Sequence, residues 1–133
     1  MSLFRLQIVM PDGCAFDGEA EAILLCTSEG YVSIRAGHMD YIATLAVGEV
    51  VVTENGVERH AACGGGFVSV TGGEVRLVTT TFEYADEIDV KRAESAREKA
   101  EEKLKSNLSD RDLALAKAKL MRALNRLDVA GKI

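Results

Sequence analysis

Three arginines near the C-terminus carry the chemistry that this sequence could perform. Lys119, Arg122 and Arg126 are spaced three and four apart, which puts them on one stripe of a helix. Like charges so placed cost about 0.2–0.5 kcal/mol per pair unless something negative answers them. Guanidinium forks suit phosphate oxygens. Folding the chain back at a turn near Leu108 sets Arg92 opposite the segment 122–126. Glu83 and Asp89 fall at the same end and could accept from a ribose hydroxyl or a base amine, while a helix N-terminus there offers amide donors. Two arrangements satisfy this spacing. One is a nucleotide held by Glu83, Asp89, Arg92, Arg122 and Arg126. The other is a solvated arginine face paired with Asp86, Glu87, Asp89 and Asp128.

Other catalytic patterns are missing. Gly64-Gly65-Gly66-Phe67 has neither the lysine nor the hydroxyl of a phosphate-binding loop, and it reads as a break in a strand. There is no H-E-x-x-H and no G-x-S-x-G. His38 falls in a loop and His60 in a strand, neither with a clear triad partner. Cys14, Cys26 and Cys63 are widely spaced and odd in number, so reduced thiols serving as small core residues are expected, with no metal site. No catalytic residue is assigned.

The arginines are positioned by the C-terminal third. From Phe82 to Ala93 the composition changes from Val, Thr and Gly with period two to Ala, Leu, Glu, Lys and Arg with period 3.6. Asp86 and Asp89 can each cap a helix, which should run from about Asp89 to Lys105. Its stripe is Val90, Ala93, Ala96, Ala100 and Leu104. Ser106 to Ser109 forms a turn, and Ser109 with Asp112 resembles a capping box. A second helix should run from Asp110 to about Val129, with Leu113, Ala116, Leu120, Ala123, Leu124 and Leu127 as its stripe and Gly131 at its end. The pair forms an antiparallel hairpin. Alanine buries little area, at about 0.8 kcal/mol per buried CH₂, so the hairpin could leave its docking surface or could stay on it permanently.

Before the hinge the chain reads as antiparallel β structure. Phe4, Leu6, Ile8 and Met10 alternate with other residues, and Pro11-Asp12-Gly13 turns the chain. Asn55-Gly56 and Gly72-Gly73 mark hairpins. About ten short strands in a sandwich are expected. The units are residues 1–85, a β domain, and residues 86–133, a helical domain.

The chain has 133 residues and a net charge of −5, which disfavours nucleic-acid binding. No apolar run is long enough for direct membrane insertion, and Met1 to Arg5 shows no signal-peptide pattern. A cytosolic or peripherally attached protein is expected.

Several short motifs occur together in order: Gln7-Ile8-Val9-x-Pro11-Asp12-Gly13, Gly37-His38, Gly64-Gly65-Gly66-Phe67, Ile88-Asp89-x-x-Arg92-Ala93 and Arg122-Ala123-Leu124-x-Arg126-Leu127. In these and in its layout the chain resembles the epsilon subunits of bacterial F-type ATP synthases along nearly its full length. The resemblance implies a ten-stranded β-sandwich carrying a helical hairpin, in a non-catalytic rotor subunit. It implies a sandwich bound to the gamma subunit and the c-subunit ring, with the loop at Gly37 and His38 facing a partner. It implies a hairpin that lies folded or extends toward the alpha/beta catalytic head and restrains hydrolysis. In some members the folded hairpin binds ATP as a regulatory ligand, through residues matching Glu83, Ile88, Asp89, Arg92, Ala93, Arg122 and Arg126. No other cofactor is implied, and the location implied is the cytoplasmic face of a bacterial plasma membrane. Ala36 stands where the family commonly has Pro, and Cys63 where it has Ser or Ala. The competing expectation is a stand-alone nucleotide sensor.

Overall fold

The structure, a computed structural model, describes residues 2–131. Met1, Lys132 and Ile133, the ends of the two expected units, lie outside the described residues. Eight strands come first: β1 (Phe4–Met10), β2 (Gly13–Ala20), β3 (Ala22–Thr27), β4 (Gly30–Arg35), β5 (Tyr41–Glu54), β6 (Val57–Thr71), β7 (Glu74–Thr79) and β8 (Phe82–Tyr84). A single 3-10 turn (Ala85–Glu87) leads into α1 (Val90–Leu104) and α2 (Asp110–Ala130).

Eight strands make ten passages, which reconciles the count with the expected sandwich. The four strands anticipated at 41–45, 48–53, 57–63 and 67–71 are two long ones, because β5 and β6 stay paired with each other from Tyr41↔Val70 to Glu54↔Val57. Their outer ends belong to different layers. Residues 66–71 of β6 pair with β7, which pairs parallel with β1, which pairs with β2. Residues 61–63 of β6 pair with β8, while β5 pairs with β3 near Val51 to Thr53, and β3 pairs with β4. The two layers enclose one core, with Leu6, Ile8, Ile23, Leu25, Ile34, Val50, Val52, Val68, Val70 and Leu77 at its centre.

Glycine permits the crossing between layers. A Cβ on Gly66 would lie 1.9 Å from the Val78 carbonyl oxygen, and one on Gly64 would lie 2.1 Å from Thr81 Oγ1. The run at 64–66 is therefore a close-approach device inside a continuous strand rather than a break in it. Asn55 and Gly56 both have positive φ, 52° and 75°, as the tight β5–β6 hairpin requires.

The hairpin lies on the outside of the second layer. Asp89 caps α1 by accepting from the Arg92 N–H at 3.1 Å, and Ser109 caps α2 by accepting from the Asp112 N–H at 3.2 Å. Gly131 caps α2 in ordinary right-handed geometry, with φ −72°. The seam between the helices buries Ala93, Ala100, Ala116 and Ala123, whereas Val90 and Leu124 of the expected stripes are exposed. The last turns of α2 meet the sheet through a small apolar cluster of Ala62, Ala85, Ile88 and Val129. No helix among the described residues is long and apolar enough to cross a membrane.

Candidate functional site

Where the hairpin meets the sandwich, the surface opens into a cleft of about 620 Å³. One wall comes from the helices: Asp89, Arg92, Ala93 and Ala96 of α1 with its cap, and Arg126 of α2. The other comes from the sandwich: Met10, Asp12, Thr80, Thr81, Phe82 and Glu83. Glu87, in the 3-10 turn, closes the hinge end. The volume lies within the range of about 300–1,000 Å³ typical of small-molecule sites.

The residues singled out by spacing divide into two groups. Glu83, Asp89, Arg92, Ala93 and Arg126 line the cleft together. Ile88 does not. Its side chain is 8% exposed and packs with Ala62, Ala85 and Val129, so it pins the hinge to the sheet. Arg122 lies beyond Arg126, in a narrow crevice with Val47, Cys63, Gly64 and Thr81 and along the groove between the helices.

The cleft already holds a network of its own. Arg126 donates from Nε to Glu83 Oε1 at 2.5 Å. Glu87 Oε1 accepts from the Tyr84 N–H at 3.0 Å, and Asp89 is committed to the first turn of α1. Four carboxylates, Asp12, Glu83, Glu87 and Asp89, face two guanidiniums, Arg92 and Arg126. That balance suits a ligand presenting hydrogen-bond donors to the acidic end and its negative charge toward the arginines. A second polar link, from Asn125 Nδ2 to the Gly48 carbonyl at 3.0 Å, fixes α2 on the other side of Arg126.

Sequence reading missed Met10, Asp12, Thr80 and Thr81. These residues come beside the helices only through tertiary folding. One signal was present: three consecutive glycines imply that another segment crosses closely, and that segment is the one carrying Thr81.

The loop at 36–40 is built separately. Gly37 has φ 81°, and the His38 N–H donates to the Arg35 carbonyl at 3.3 Å. The His38 ring stands edge-on to Tyr41, with centroids 5.7 Å apart. The Gly72 N–H donates to Asp40 Oδ1 at 3.0 Å, tying the loop to the β6–β7 turn. Met39 and Ile42 beside it are 77% and 74% exposed. His60 lies 3.2 Å from Glu49. Of the cysteines expected in the core only Cys63 is buried; Cys26 is half-buried and Cys14 lies exposed on β2, because β2 is an edge strand.

Comparison with known proteins gives a consistent result. Residues 3–85 match the model of the beta-sandwich domain of the ATP synthase delta/epsilon chain, and residues 86–131 match that of its long alpha-helix domain. The chain is 38% identical to an ATP synthase epsilon chain of Ruminococcus albus, covering 99% of each, and 39% identical to that of Bacillus subtilis, covering 99% of this chain and 100% of that one. It superposes with a TM-score of 0.83 and 26% identity on a chain in the cryo-EM structure of the Euglena gracilis mitochondrial ATP synthase OSCP/F1/c-ring, covering 98% of this chain and 82% of that chain. A chain of the Tetrahymena thermophila mitochondrial ATP synthase central stalk/c-ring shares the fold at a TM-score of 0.58 and 15% identity, covering 96% and 93%. With both of its domains matched and its relatives aligned end to end, this chain belongs to the ATP synthase delta/epsilon chain family, as an epsilon chain.

Proposed function

We propose that this epsilon chain acts as a non-catalytic central-stalk subunit whose two parts divide the work. Residues 1–85 bind the gamma subunit and the c-subunit ring and so couple proton-driven rotation to the catalytic head. Residues 86–133 form a lever that restrains ATP hydrolysis when it extends toward the alpha/beta subunits. The complex then lies at the cytoplasmic face of a bacterial plasma membrane, with this chain peripheral to it and needing no cofactor. The observation that carries the reading is an asymmetry of packing. The sandwich has a continuous core from Phe4 to Tyr84, whereas α2 docks through the small cluster around Val129 and two polar links. Burying Ile88 and Val129 contributes about 1.5–3 kcal/mol each, so releasing the lever costs far less than unfolding the sandwich.

The test is deletion of residues 88–133 in a reconstituted complex. The truncated chain should stay folded and bind gamma, and hydrolysis should rise. Loss of the β fold together with loss of gamma binding would overturn the division of labour.

The cleft supports a second element of the reading: ATP as a regulatory ligand that holds the lever down. Glu83, Asp89, Arg92, Ala93 and Arg126 lie on its walls, and a ligand there would touch both domains at once. Calorimetric titration of the isolated chain decides this. Binding should be lost in Arg126→Ala; an absence of heat at millimolar ATP, or unchanged binding in the variant, rejects it.

A further inference from the structure

The cleft does not end at Arg126. Past Arg126 and Ala96, which border both, it continues into a groove of about 400 Å³ between α1 and α2. Ala100 and Ala116, both buried, lie along this groove. All its charged lining is positive: Lys99 and Lys103 from α1, and Lys119, Arg122 and Arg126 from α2. Among the described residues, no carboxylate lies within 4 Å of the side-chain nitrogens of Lys99, Lys103, Lys119 or Arg122. The acidic residues of α1 nearest to them, Glu98 and Glu102, line the neighbouring surface with the two lysines instead. The cleft proper is the reverse, with four carboxylates against two guanidiniums. The two compartments thus carry opposite charge and meet at Arg126.

The geometry points to this interhelical groove as a binding subsite for a phosphate chain, with Lys99, Lys103 and Lys119 as specificity residues that count phosphates. This rests on the nucleotide reading of the adjoining cleft and deepens it. The acidic compartment takes the part of the ligand that donates hydrogen bonds, its sugar hydroxyls and base amine. The phosphates leave past Arg126 and Arg122 and lie along the alanine seam. A row of cations with no answering charge is unfavourable alone, at about 0.2–0.5 kcal/mol per close pair. A polyanion reverses that sign and stitches α1 to α2 where the seam itself holds least. Each phosphate added should then tighten binding, and the ligand should rigidify the hairpin as well as its docking.

The test uses the full chain, its Lys99→Gln/Lys119→Gln double variant and a Lys117→Gln control, each titrated by calorimetry with AMP, ADP, ATP and inorganic tripolyphosphate. Lys117 is exposed on α2 outside the groove. The wild type should bind ATP about tenfold or more tighter than AMP, an increment equal to one well-placed charged contact. The double variant should lose most of that advantage while its AMP affinity stays the same, and the control should keep it. ATP binding no tighter than AMP, an advantage that survives in the double variant, or an equal loss in Lys117→Gln overturns the subsite and leaves the nucleotide cleft intact. Tripolyphosphate binding that depends on Lys99 and Lys119, with no nucleotide binding, upholds the groove and removes the nucleoside reading. No binding of any of the four ligands removes both.

Discussion

Arg126 on α2 is joined to Glu83 on β8 by a 2.5 Å charge-assisted hydrogen bond, so a residue suited to phosphate is already held by a carboxylate of the sandwich. The pair is part of the docking apparatus before any ligand arrives. Its side chains are 29% and 33% exposed, which places its worth between a surface pair and a buried one, about 0.5–2 kcal/mol.

Glu83→Gln should therefore loosen the hairpin without weakening the sandwich. Native-state hydrogen exchange is the measurement. Amides in the last turns of α2 should exchange faster by the factor that this energy implies, while amides of β1 and β7 keep wild-type protection. Equal acceleration in both regions would mean that hairpin and sandwich open as one unit, and the lever argument would fail.

Asn125→Ala addresses the second link separately. Removing the side chain leaves the Gly48 carbonyl without this donor, at a cost of about 1 kcal/mol to docking. Because Asn125 and Arg126 reach different elements, the double variant Asn125→Ala/Glu83→Gln should show nearly additive exchange rates in α2. A large non-additive term would indicate that one link forms only when the other is present.

The alanine seam makes a third prediction. Ala116 and Ala123 are 2% and 1% exposed between the helices. Ala116→Leu adds bulk where the helices touch and should cost about 1–3 kcal/mol of hairpin stability. Helical ellipticity should melt below the sandwich transition in this variant, whereas the exposed Leu115→Ala should leave both transitions within about 0.5 kcal/mol. A single coincident transition in Ala116→Leu would argue against a weakly held hairpin.

Glycine substitutions separate close approach from conformation. At Gly56 the space around a Cβ is open and only the positive φ of 75° opposes a side chain, so Gly56→Ala should cost about 1 kcal/mol. At Gly66 a Cβ would collide with the Val78 backbone, which cannot rotate away, and Gly66→Ala should cost about 3 kcal/mol or more. Denaturant unfolding of the two variants should rank them in that order.

Much of this architecture was legible because its signals are local. Asp89 and Ser109 read as caps and are caps; Asn55-Gly56 reads as a primed turn and has the required positive φ. The helical period brings Arg92 and Arg126 to one cleft, as counting outward from Leu108 anticipates. The missed features are non-local. Continuity of β5 and β6 through residues 46–48 and 64–66 depends on partners in two layers, and glycine there looks like punctuation until those partners are placed. Thr80, Thr81 and Asp12 enter the cleft from loops whose sequences carry no period at all. Ile88 sits within a motif suggestive of ligand binding, yet the step from strand to helix turns its side chain into the docking cluster. The charge pattern of Lys99 and Lys119 is ordinary for exposed helix positions and acquires meaning only when the hairpin closes.

The last prediction concerns alkaline pH and follows from two acids of the core. Burial pushes the Tyr84 phenol above its ordinary 10.0; the Arg59 guanidinium, 3.7 Å from the ring centroid, works against that shift, while Glu54 and Glu87 add to it. Burial also pushes the Cys63 thiol above 9.0, against the backbone hydrogen bond at Gly65 and with the nearby Cys26. A folded state that holds these protons above the unfolded pKa values binds more protons than the unfolded chain in that window, so stability must fall as pH rises. The contribution is whole below about pH 9 and is lost from there upward, first through Cys63 and then through Tyr84. Denaturation midpoints followed from about pH 8 to pH 11 should decline, with Cys63→Ala flattening the lower part of the decline and Tyr84→Phe the upper. Alkylation gives an independent reading: the exposed Cys14 should react at once and Cys63 only on unfolding. Midpoints that rise with pH, or a Cys63 that labels as fast as Cys14 in the folded chain, would show that the face beneath the hairpin hinge is open to water.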